Sequence, residues 1–121
     1  MPNELILIVE DNPKNLKLVR DTLQVKGYQT IETETGEEGM QLARERRPAL
    51  ILQLPGMSGI EALRELRADP ATRTIPVIAV TASVMAQDRQ RVMAAGFDGF
   101  QGKPISVREL LATMRGLLEK S

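Results

Sequence analysis

Short apolar runs alternate with amphipathic segments from one end of this chain to the other, and that alternation limits the fold more than any other feature. Leu5-Ile6-Leu7-Ile8-Val9 is apolar throughout, as a strand buried on both faces of a parallel sheet must be. Asn12 then offers an N-cap with Pro13 at the first helical position, and Leu16, Val19 and Leu23 fall on one helical face. Gly27 suits the helix stop. Residues 28–34 read as a second strand at an edge of the sheet. Thr35-x-x-Glu38 is a capping box for a helix running to about Arg46, and Arg47-Pro48 ends it. Residues 49–52 form a third apolar strand, followed by a turn-rich loop, Pro55-Gly56-Met57-Ser58-Gly59. Ile60, Leu63 and Leu66 mark a third helix, ending near Asp69-Pro70. Residues 77–80 are the fourth strand, and a fourth helix covers about 85–95 and stops at Gly96. Gly99-Phe100-Gln101 is a brief fifth strand. Ser106-x-x-Glu109 caps a last helix with Val107, Leu110, Leu111, Met114, Leu117 and Leu118 at helical spacing.

The order is (βα)5, an α/β chain. Strict alternation implies a doubly wound parallel five-stranded sheet with right-handed crossovers and helices on both faces. A chain of 121 residues is the size of one domain, so residues 1–121 are expected to form a single domain with no effector module attached.

Composition narrows the chemistry. There is no Cys and no His, which removes thiolate catalysis, Ser-His-Asp catalysis and His- or Cys-ligated metals. Sixteen Lys and Arg balance sixteen Asp and Glu, so nothing electrostatic favours nucleic acid or an anionic membrane as partner. No apolar run approaches a membrane span and the N-terminus has no basic leader, so a cytoplasmic protein is expected.

Ligands of a doubly wound sheet bind beyond the carboxyl ends of its strands. Glu10 and Asp11 follow the first strand, Thr81 closes the fourth, and Lys103-Pro104 follows the fifth. Two adjacent carboxylates in a crevice call for a cation, and hard oxygen donors suit Mg²⁺. A hydroxyl and an ammonium facing the same crevice suit phosphoryl oxygens. Each group alone has an ordinary explanation as a solvated turn, a helix cap or a surface lysine. Their joint placement at strand ends carries the functional reading. A nucleotide or flavin site fits worse, because the first β-α turn, Glu10-Asp11-Asn12-Pro13, is acidic and lacks glycine.

The sequence closely resembles the receiver domain of two-component response regulators, a flavodoxin/CheY-like fold, over essentially its whole length. The resemblance rests on Val9-Glu10-Asp11-Asn12, the run from Leu54 to Gly59, the run from Pro76 to Ala82, and Gly102-Lys103-Pro104-Ile105-Ser106. The first and last blocks are most similar to stand-alone receivers of the DivK type. The resemblance implies that Glu10 and Asp11 bind Mg²⁺, that Thr81 and Lys103 hold phosphoryl oxygens, and that Phe100 is an aromatic switch. It also implies a cis peptide bond before Pro104. A histidine kinase or phosphotransfer protein would be the upstream partner. A downstream protein would be contacted through the face formed by the fourth helix, fifth strand and fifth helix.

One part of the pattern is missing. In the family, an Asp at the end of the third strand accepts the phosphoryl group. Here Leu50-Ile51-Leu52 runs directly into Gln53-Leu54-Pro55, and about three residues, the acceptor among them, are absent. Alignment from the left puts Leu54 at the acceptor position; alignment from the right puts Ile51 there. The third strand or its following loop must therefore be shortened, with Mg²⁺ binding weakened and no phosphorylation at the usual site. A phosphorylation-independent pseudo-receiver that docks on a kinase or scaffold is the alternative. A flavodoxin-like enzyme is a remote third.

Overall fold

The computed structural model describes residues 4–10, 13–53, 57–81, 90, 94, 96–102 and 107–120. Five strands and four helices follow in order: β1 (Leu5–Val9), α1 (Pro13–Val25), β2 (Gln29–Thr33), α2 (Gly36–Arg46), β3 (Leu50–Gln53), α3 (Met57–Ala68), β4 (Val77–Thr81), β5 (Gly99–Gly102) and α4 (Val107–Lys120). Of the fourth helix expected from sequence, only Gln90 and Ala94 are described, and both are helical. The last helix of the sequence reading is therefore α4. The strand order is β2-β1-β3-β4-β5, with every pair parallel. The order reverses between β1 and β3, which places the switch point of this doubly wound sheet beside Glu10.

Alternation along the strands divides the core into two layers. Ile6, Ile8, Leu50, Leu52 and Ile78 pack with Val19 and Leu23 of α1 and with Leu110 and Met114 of α4. Leu7, Val9, Ile51, Val77 and Ala79 pack with Ala43 of α2 and with Leu63 and Leu66 of α3. Helices therefore cover both faces, as the continuous apolar strands require.

The helix ends follow from their residues. Gly27 has φ 94°, and two bonds close α1 behind it: Gly27 N–H donates to Gln24 O at 3.1 Å and Tyr28 N–H to Leu23 O at 3.0 Å. That is a Schellman motif, with Tyr28 and Leu23 in the same core layer. Thr35 caps α2 by accepting from Glu38 N–H at 3.2 Å. The return half of the expected capping box is relayed: Glu38 Oε2 accepts from the Thr33 hydroxyl, and Thr33 Oγ1 accepts from Thr35 N–H. Arg47 ends α2 in the left-handed region at φ 44°, its N–H donating to Ala43 O.

One expectation fails. Met57, Ser58 and Gly59 were expected in a loop and are the first residues of α3. With β3 ending at Gln53, only residues 54–56 join strand to helix. The composition of a turn did not prevent Met57, Ser58 and Gly59 from joining the helical run that carries Leu63 and Leu66 into the core. Among the described residues, no helix is long and apolar enough to cross a membrane.

Candidate functional site

The carboxyl rim of the sheet is built around the end of β1. Val9 is the last strand residue, and Glu10 follows it with only 2% of its surface exposed. Glu10 N–H donates to Thr33 O at 2.9 Å, so the chain leaves β1 tied to the end of β2. The first turns of α2 close over this corner. A Cβ on Gly39 would stand 2.8 Å from Val9 Cγ2, so only glycine lets α2 lie this close to the strand that delivers Glu10. Thr33, itself buried, joins the same corner through its bond to Glu38.

The ladder fixes what stands level with Glu10 on the neighbouring strands. Val9, Gln53, Ala79 and Phe100 pair successively across β1, β3, β4 and β5. One step further, Glu10 continues β1 and Val80 pairs with Gln101; two steps on, Thr81 pairs with Gly102. Glu10 and the backbones of Thr81 and Gly102 therefore share one rim. Lys103 directly follows Gly102 in sequence. Asp11, Lys103 and Pro104 lie outside the described residues, as do the side chains of Thr81 and Phe100. Their proposed roles, including the cis bond before Pro104, are neither met nor opposed by coordinates.

The register of β3, which the sequence leaves open, is set by its two neighbouring strands. Leu50 and Leu52 pack toward α1 and α4, Ile51 toward α2 and α3, and Gln53 pairs with Val9 and Ala79. The strand sits between β1 and β4, paired to both. Chemically, the rim holds one buried hard-oxygen donor, Glu10. Among the described residues, no three Asp or Glu side chains are grouped to hold a metal ion. A buried hard-oxygen donor of this kind suits a divalent ion. No Asp lies between Asp21 and Asp69 in the sequence.

A parallel 2-1-3-4-5 sheet with an acidic residue buried at its switch point defines a receiver-type signalling domain. The response regulator receiver domain model matches residues 6–115, and the chain belongs to that family, whose members are signalling proteins and not enzymes. Among curated proteins, the polar-differentiation response regulator DivK of Brucella anthropi is 47% identical over 116 residues, covering 93% of this chain and 94% of that protein. The DivK of Brucella ovis is 46% identical over the same length. Among solved structures, the receiver domain of the sensor histidine kinase PA1611 from Pseudomonas aeruginosa superposes with a TM-score of 0.87 at 31% identity, covering 97% of this chain and 98% of that one. That structure has a magnesium ion coordinated in its active site cleft. The chemotaxis protein CheY4 of Vibrio cholerae gives a TM-score of 0.86 at 25% identity, covering 95% of this chain and 98% of that one.

Proposed function

We propose that residues 1–121 form a stand-alone DivK-like receiver of a two-component phosphorelay that cannot be phosphorylated on its third strand. It meets a histidine kinase or phosphotransfer protein upstream and a second protein downstream, and it acts by contact. The observation that carries this reading is the register of β3. The strand occupies its full place beside β1 and β4, yet no Asp lies between Asp21 and Asp69 to occupy its end. The DivK match supports the shortening: it spans 116 positions but takes up 93% of the 121 residues here, about 113.

In this reading Glu10 and Asp11 hold Mg²⁺, Thr81 and Lys103 face phosphoryl oxygens, and Phe100 is the switch residue. Mg²⁺, when bound, would neutralise oxyanions at the rim. Glu10 contributes a fixed, buried oxygen donor, and the lost third-strand carboxylate weakens the site. Lys103 is then free to pair with Glu10 or Asp11. The output face combines the segment before Gly96 with β5 and α4.

Incubation with acetyl phosphate and Mg²⁺, followed by intact-mass measurement, tests the reading. The mass should stay at 13.4 kDa. Gain of one acid-labile phosphoryl group would overturn it. A Mg²⁺ titration of the wild type and Glu10→Gln should show weak binding that the substitution abolishes. Partner binding unchanged by phosphodonor and by Thr81→Ala would favour the pseudo-receiver form of the same reading.

A further inference from the structure

At the amino end of the sheet, opposite the rim, one cluster joins α3, β4 and the approach to β5. Asp98 N–H donates to Val77 O at 2.8 Å, and Val77 N–H donates back to Asp98 Oδ2 at 2.9 Å. Arg67 Nη2 donates to the same Oδ2 at 2.7 Å. Its Nη1 donates to the carbonyls of Arg73 and Ile75 at 2.9 and 2.8 Å, and Nη2 also reaches Gly96 O at 3.4 Å. The guanidinium is thus anchored to backbone on both sides of the carboxylate it orients.

β5 needs such an anchor. It is four residues long, begins and ends with glycine, and lies at the sheet edge with β4 as its single neighbour. Short, glycine-rich edge strands specify their pairing weakly, and a slip of one residue turns every side chain to the other face. The reciprocal Asp98–Val77 pair starts the ladder one residue before the strand. Ile78–Gly99, Ala79–Phe100, Val80–Gln101 and Thr81–Gly102 then follow in step. Gly99 adds a steric check on the same register, since a Cβ there would stand 3.0 Å from Thr113 Cγ2 and 3.3 Å from Ile78 Cγ1.

We infer that Asp98, oriented by Arg67, sets the register of β5 on β4 and is thereby the positioning residue for the rim end of β5, where Gly102 pairs with Thr81. The strand it starts carries its effect about 13 Å to the rim. A shift of two residues would move Gly102 by about 7 Å along the strand direction. The inference rests on the reading of the rim as a phosphoryl site, but its first test does not depend on that reading.

The first test is NMR of cross-strand amide contacts in the full chain. Asp98→Ala should lose the Ile78–Gly99 and Ala79–Phe100 contacts while keeping Ile6–Leu50. Asp98→Asn should keep all three, because its amide oxygen still accepts from Val77 N–H although the ion pair with Arg67 is gone. If Asp98→Ala keeps the β4–β5 contacts, or if Asn and Ala behave alike, Asp98 is merely stabilising and the inference fails. The second test titrates inorganic phosphate with Mg²⁺ and follows the amides of Thr81 and Gly102. Asp98→Ala should weaken that response about tenfold, as Lys103→Met does, and Asp98→Asn should not. If the wild type gives no phosphate response, the phosphoryl reading of the rim falls, while the amide contacts still decide the role of Asp98. A wild-type response that Asp98→Ala leaves intact overturns the link to the rim.

Discussion

Two residues carry unusual local demands. Gly39 lets α2 approach Val9, and Ala there would put its Cβ 2.8 Å from Val9 Cγ2. Ala is ordinarily the better helix former by about 1 kcal/mol, so the steric conflict decides the sign. Gly39→Ala should destabilise the protein by about 1–3 kcal/mol in urea unfolding. It should also weaken Mg²⁺ binding, because Glu10 follows directly on the displaced Val9. Arg47 shows the opposite case. It holds φ 44°, a conformation costing a side-chain-bearing residue about 1–2 kcal/mol, part of which glycine gives back through a freer unfolded chain. Arg47→Gly should therefore raise stability by about 0.5–1 kcal/mol in the same assay. Gly27 and the helix stop at Arg47-Pro48 were both legible in the sequence, because turn chemistry is local. The Arg67–Asp98–Val77 cluster was not. Its members lie 31 and 21 residues apart, and no spacing rule joins them.

At the scale of elements, α2 and α3 are tied by Arg44 and Asp69. Arg44 Nε donates to Asp69 Oδ2 at 2.7 Å, and Ala71 N–H donates to Oδ1 at 2.9 Å. The bond from Ala71, and then the guanidinium of Arg44, hold the Asp69 carboxyl below its ordinary value. A carboxyl depressed in the folded state contributes stability that is present above its unfolded value, about 3.9, and is lost as pH falls through its folded value. Asp69→Asn should therefore flatten the acid limb of the stability profile below about pH 4 and leave the neutral region little changed in slope. The strands and their order were legible because fully apolar runs separated by helical periods admit few arrangements. The start of α3 was not. Pro55-Gly56-Met57-Ser58-Gly59 has the composition of a loop, yet Met57, Ser58 and Gly59 join the helical run that carries Leu63 and Leu66 into the core.

For the whole molecule, β3 is seated between β1 and β4 in a parallel sheet although no Asp lies between Asp21 and Asp69. The sequence could not choose the register of β3: Leu50, Ile51 and Leu52 are apolar on both faces, so either face could be buried against either layer. Packing against α1 and α4 on one side and α2 and α3 on the other made the choice. The rim residues were proposed as a group from their positions after strands; of them Glu10 is described in full and is buried at the end of β1. The proposed weak metal binding has a thermodynamic counterpart. While free Mg²⁺ stays below its dissociation constant, it should stabilise the fold by less than about 0.4 kcal/mol. Thermal melts with Mg²⁺ and with a chelator should then nearly coincide, and a large shift would mean that the ion is bound tightly.

The three residues between Gln53 and Met57 have a last consequence, for repair. Lengthening a connection changes its closure entropy only slowly, and here no backbone pair of β3 would have to break to admit an insert. Under the proposed reading, an acidic insert between Gln53 and Met57 is then the shortest route to a chain that gains mass with a phosphodonor.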